Sequence, residues 1–176
     1  MDRTPEPEYI VILNEEIDNN IFEIRDYKQL TIAETIVENT DFDKMSGIAF
    51  KRLGGYIFGD NQKEEEIQMT APVLLDRKPE TWKMIFVLPK KYSIENAPAP
   101  KNQNVVIKTM KEKRFAVIQF SGSLEEKKFD EHLEKLREWI KSKNYEILSD
   151  PLFAGYNHPW TIPFLRRNEV LIEVSK

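Results

Sequence analysis

The chain has 176 residues, enough for one domain with its own core, and its 40% hydrophobic and 32% charged residues are an ordinary globular composition. A net charge of −4 speaks against nucleic-acid binding as its main business, since a phosphate-binding surface needs a surplus of cations. Without cysteine there is no disulfide framework, no thiolate metal site and no cysteine nucleophile.

In chain order, residues up to Glu8 are polar, with Pro5 and Pro7, and read as a frayed lead-in. The start has no apolar segment of signal-peptide type and no apolar run is long enough to span a bilayer, so the expectation is cytoplasmic, a signal removed before numbering being invisible here. Tyr9 to Leu13 is a short strand, Asn14 to Asn20 a turn-rich connection, and Ile21 to Arg25 a strand that pairs back. Leu30 to Val37 alternates with period two and is rich in β-branched residues, as a strand requires. Asn39, Thr40 and Asp41 then offer capping side chains to a helix running from Phe42 to Phe58.

That helix has two sides. Met45, Ile48, Ala49, Leu53, Tyr56 and Ile57 recur at three- and four-residue steps and form a core stripe. Gly47, Phe50, Lys51 and Gly54 fall elsewhere, a ring between two positions without side chains and a cation beside it. Glycine in a helix costs on the order of 1 kcal/mol relative to alanine, so something must come close to this backbone. Either a neighbouring strand or helix does so, or a flat apolar ligand.

Gly59-Asp60-Asn61 closes the helix, and Lys63 to Glu66 is a solvated loop. Ile67 to Leu75 is a strand in which Pro72 marks a bulge or an edge, and Trp82 to Leu88 is a strand covered on both faces. Ser93 to Asn104, with Ala97-Pro98-Ala99-Pro100, is a stiff connector. Val105 to Met110 and Phe115 to Ser121 form a hairpin. Ser123-Leu124-Glu125-Glu126 has the capping-box pattern and opens a helix to about Lys143, its core stripe Phe129, Leu133, Leu136 and Ile140. Leu152 to Tyr156 and Glu169 to Val174 are the closing strands.

The order strand 30–37, helix 42–58, strand 67–75, strand 82–88 recurs as 115–121, 124–143, 152–156 and 169–174. Leu53, Tyr56 and Ile57 match Leu136, Trp139 and Ile140 in spacing. The expected fold is α+β: two β-α-β-β halves around a shared core, with helices against a largely antiparallel, curved sheet that forms a partly closed barrel. It forms a single domain over 1–176, with pseudo-repeats at about 28–92 and 105–176 joined by the connector 93–104.

Chemistry-bearing motifs are sparse. His132 sits at the shoulder of the second core stripe, and His158 lies in an aromatic and proline-rich loop where it is a weak candidate to ligate a metal or iron. There is no zinc-binding His-Glu-x-x-His, no phosphate-cradling glycine loop and no Gly-x-Ser-x-Gly elbow, so no enzymatic activity is indicated. The segment Ala154 to Leu171, with Tyr156, Trp160 and Phe164 ahead of Arg166 and Arg167, reads either as a functional loop or as a hydrophobic plug.

The runs Phe22-Glu23-Ile24-Arg25-Asp26-Tyr27, Phe50 to Gly59, Met69-Thr70-Ala71-Pro72-Val73, Ala154-Gly155-Tyr156-Asn157 and Arg166-Arg167-Asn168-Glu169-Val170 closely resemble the SOUL haem-binding family from about Tyr9 to Val174. The family is also similar to the effector domains of multidrug-responsive transcription activators. The resemblance implies a distorted β-barrel with two helices, and a non-catalytic protein that holds haem or a porphyrin reversibly, as carrier or buffer. Alternatives are a general binder of flat lipophilic molecules, a helix-mediated protein-interaction module, or, by analogy alone, a hydrolase on the same scaffold. On the positions that match, the macrocycle would lie on Gly47, Phe50 and Gly54, with Tyr156 and Trp160 from the closing loop. Lys51 and Arg166 would meet its propionates, each pair contributing about 1 kcal/mol. In one branch of the family a histidine follows the Glu-Ile-Arg strand as the proposed iron ligand; this chain has Asp26 there, so the axial ligand stays open.

Overall fold

A computed structural model of the chain describes residues 4–38, 40–158 and 160–176; Asn39, expected to help cap the first helix, lies outside them. The chain is α+β. Its strands are β1 (Tyr9–Ile17), β2 (Asn20–Tyr27), β3 (Leu30–Glu38), β4 (Val73–Arg77), β5 (Thr81–Val87), β6 (Val106–Met110), β7 (Lys113–Phe120), β8 (Leu152–Gly155) and β9 (Asn168–Glu173); its helices are α1 (Phe42–Ile57) and α2 (Glu126–Ser142). The described residues fall into two compact units, one from 4–7 and 29–111, the other from 8–28 and 112–176.

In the first unit the strands lie in the order β4-β5-β3-β6 with antiparallel neighbours. The register Ala33↔Phe86, Thr35↔Met84 and Val37↔Trp82 puts these side chains on one sheet face. α1 covers that face, with Phe42 against Trp82 at 5.4 Å and Phe50 against Phe86 at 5.6 Å between ring centroids. Met45, Ala49 and Leu53 are completely buried there, with Tyr56 and Ile57 nearly so. The Asp41 carboxylate caps the helix by accepting the Lys44 N–H at 2.9 Å. At the other end the Tyr56 hydroxyl donates to the Pro98 carbonyl at 2.7 Å. The connector forms no helix or strand but is fastened to its own unit in this way.

In the second unit the order is β1-β2-β7-β9-β8, again antiparallel. α2 packs on the face carrying Phe22, Phe120 and Phe153, through Phe22–Trp139, Phe120–Phe129 and Phe129–Phe153 ring contacts at 5.2, 5.9 and 4.6 Å. Because side chains alternate along a strand, Arg25 and Tyr27 of β2 point to the opposite face, as does Glu169 of β9.

Several local expectations are corrected. β1 continues past Leu13 to Ile17, because the reversal is made by Asp18 and Asn19 alone, both in the left-handed region at φ 49° and 63° that these two residue types tolerate. β4 begins at Val73 and not at Ile67: Pro72 has no N–H for a ladder, and the preceding segment is anchored by Ile67 N–H to Ile57 O (2.7 Å) and Thr70 Oγ1 to Val87 O (2.5 Å). α2 begins at Glu126 with Glu125 as its first cap residue and no side-chain cap; the Ser123 hydroxyl bonds the Glu125 carboxylate instead of closing a capping box. Ile48, assigned to the core stripe of α1, is 42% exposed, since the helix meets its sheet over a narrower arc than the spacing suggested.

Candidate functional site

Along the edge of its outward side α1 carries an apolar strip made by bare backbone and two rings, one of which, Phe50, also rests on Phe86 of the sheet. A Cβ placed on Gly47 would meet nothing within 4 Å, so among the described residues nothing of the protein occupies the space above it. At Gly54 an added Cβ would lie 3.6 Å from the Phe50 ring and 3.8 Å from the Phe58 ring. This glycine is the floor between two aromatic side chains of its own helix. Phe50 is 42% and Phe58 66% exposed. Lys51 is exposed beside them, and from Lys44 to Gly59 there is no acidic residue, so the strip is apolar with a positive margin. Of the two readings of the helix glycines, close approach by a neighbouring strand is not what the structure has at Gly47. Phe58 was missed from the sequence, although it stands four residues after Gly54, in helical register with it.

The other expected contributors, Tyr156, Trp160 and Arg166, belong to the second unit. There, on the sheet face away from α2, lies a buried polar cluster. Arg25 grips the Glu169 carboxylate with two hydrogen bonds at 2.8 and 3.0 Å and donates to the Tyr27 hydroxyl at 3.0 Å and to Glu23 at 2.5 Å. Tyr156 donates its hydroxyl to Glu169 at 2.7 Å, and Arg167 adds bonds at 2.9 and 3.1 Å. The Tyr9 ring covers the Arg25 guanidinium at 4.3 Å and Arg167 lies over the Tyr156 ring at 3.8 Å. Burial pushes the Glu169 carboxyl upward, but the Arg25 charge and hydrogen bonds outweigh it, and its pKa is lowered. Burial also pushes the Tyr27 hydroxyl up to about 12. Tyr156 is therefore a strut of this cluster. Arg25 and Glu169 were legible only as motif members; their signal was a charged residue within an apolar strand.

Beyond Tyr156 the chain leaves the sheet. Trp160 is 80% exposed, Phe164 70%, Leu165 62% and Ile162 54%. These side chains face solvent, so the plug reading of the segment does not hold for them. Arg166 turns back, its Nε donating to the Thr161 carbonyl at 2.7 Å. His158 is exposed and stacks on Trp160, 4.6 Å between centroids at 2°. His132 lies flat on Phe120 at 3.7 Å, and its Nδ1 meets the Lys128 carbonyl at 2.7 Å, a packed border residue as its position suggested. Among the described residues no cluster of three or more His, Cys, Asp or Glu side chains suits a metal ion. Asp26 is paired with Arg114 through bonds at 2.7 and 2.8 Å, and that pairing holds its carboxyl below the ordinary range.

This architecture is shared with a solved structure, the C-terminal domain of EcmrR, at a TM-score of 0.68 and 10% identity over 94% of this chain and 99% of that one. In sequence the chain is 31% identical over 162 residues to Heme-binding protein 1 of Xenopus tropicalis, covering 88% of this chain and 84% of that protein. It is 30% identical over 158 residues to Heme-binding protein 2 of Mus musculus, covering 85% and 76%. The family described as SOUL heme-binding protein matches residues 4–173. The chain belongs to that SOUL family.

Proposed function

We propose that this protein binds haem or a related tetrapyrrole on the outward strip of α1, holding it reversibly as a carrier or buffer without catalysis of its own. Membership of a heme-binding family supports the ligand class. The observation that supports the location is the open space above Gly47 together with the exposed rings of Phe50 and Phe58 that flank Gly54 on the same helix. Gly47 and Gly54 would let a flat macrocycle approach the backbone, the rings would take its apolar faces and edges, and Lys51 would meet a propionate. Bound haem supplies an iron centre in an apolar disc carrying two carboxylates. Asp26 is committed to Arg114, so the position of the family's proposed histidine does not serve as an iron ligand in this reading.

Titration with haemin is expected to give saturable quenching of tryptophan emission and a shifted Soret band. Phe50→Asp, which puts a charge on the strip, is expected to weaken binding by tenfold or more, about 1.4 kcal/mol, with the far-ultraviolet circular dichroism unchanged. An unaltered Kd would remove α1 from the site. Equal affinity for an unrelated planar dye would turn the assignment toward a general binder of flat lipophilic compounds.

A further inference from the structure

We propose that residues 160–166 form a membrane-interface anchor whose apolar tip inserts shallowly into an anionic phospholipid surface. Trp160, Ile162, Phe164 and Leu165 are each more than half exposed within a single short loop. A loop that had merely failed to pack would be loosely held, and this one is tied at its base and along its length. Tyr156 N–H donates to Arg167 O at 3.2 Å, Gly122 N–H to Pro163 O at 2.9 Å, and Leu165 N–H to Ile162 O at 2.9 Å. These bonds hold the backbone of the loop while the four apolar side chains are exposed.

The occupant follows from size and charge. A stable protein partner needs about 800 Å² of matching surface on each side, more than a tip of four side chains presents. A bilayer interface needs no matching shape, and it favours tryptophan at headgroup depth with arginine reaching to the phosphates. No acidic residue occurs between Tyr156 and Asn168; the Arg167 charge is met by Glu169 within the sheet, and Arg166, at the foot of the tip, supplies the positive charge. In a chain of net charge −4, an anionic surface would repel the remainder and select this loop. Among the described residues no helix is long and apolar enough to cross a membrane, and shallow insertion needs none. Trp160 and Arg166 are also residues the family resemblance offers to a macrocycle, so the test is run without haem, and its failure is separate from that of the α1 strip.

The test uses the full chain, without haem, and vesicles of phosphatidylcholine with or without phosphatidylserine. Trp82 and Trp139 are buried at 8% and 5% exposure, so a change of polarity around tryptophan reports Trp160. The expected results are flotation with the mixed vesicles, a blue-shifted emission, and quenching by brominated lipid. The double variant Trp160→Ser with Phe164→Ser should lower partitioning at least about tenfold, whereas Trp160→Phe should keep flotation and lose the shift. Absence of flotation overturns the proposal, as does flotation that the double variant leaves intact. A lipid-free dimer in sedimentation that the double variant abolishes would assign the tip to a second copy instead. Brominated-lipid quenching of the unmodified protein stands even if the double variant does not fold.

Discussion

Gly47 and Gly54 are both helical glycines, yet they act differently. Gly54 lies under the rings of Phe50 and Phe58, and a methyl group there would stand in ordinary contact with both. Gly47 faces open space. No described residue comes within 4 Å of a Cβ at position 47, so Gly47→Ala is expected to raise stability by about 0.5–1 kcal/mol, measured by urea unfolding, because alanine costs less conformational entropy in a helix. A loss of stability would mean that the backbone there serves the fold and not a ligand. At this scale the sequence was readable where a residue type is conspicuous in its setting, as with glycines inside an amphipathic helix. It was not readable for Phe58, which looks like an ordinary helix end until its 66% exposure is known.

Strands β2 and β9 are not neighbours, since β7 lies between them, yet Arg25 and Glu169 join them across the second unit's sheet face. Both side chains are almost completely buried. Removing one partner leaves the other charge stranded, so Glu169→Leu alone is expected to cost about 3–5 kcal/mol. With Arg25→Met added, the total should fall short of the sum of the two single losses, as a double-mutant cycle on denaturant melts would show. Additivity within about 0.5 kcal/mol would mean that the pair is not coupled. Element types followed from periodicity, but element ends did not. α1 has the Asp41 cap anticipated from the sequence, whereas the capping-box residue Ser123 turned to Glu125 and left α2 without one. Such choices depend on local geometry that the same few residues can satisfy in more than one way.

For the whole molecule, acid should act in stages. Burial lowers the pKa of His132, so the folded state binds its proton less readily than the unfolded chain does, and stability falls as pH drops through about 6.5. Glu169 and Asp26 are also lowered when folded; their contribution is complete above about pH 5 and is lost as pH falls through their folded values. Melting temperatures should therefore decline gently below neutrality and steeply below about pH 4. A melting temperature constant down to pH 3 would contradict this account.

The sequence by itself determined the α+β class, the two helices with their buried stripes, the repeated order of elements and membership in a family, because each rests on side-chain type and spacing along the chain. Only the tertiary structure decided that the space above Gly47 is open, that Tyr156 is tied to Glu169, and that Trp160 and Phe164 face solvent rather than a core. Apolar rings carry the same signal in a sequence whether they are covered or bare. What separates the two cases is whether another part of the chain lies over them, and spacing along the chain does not contain that information.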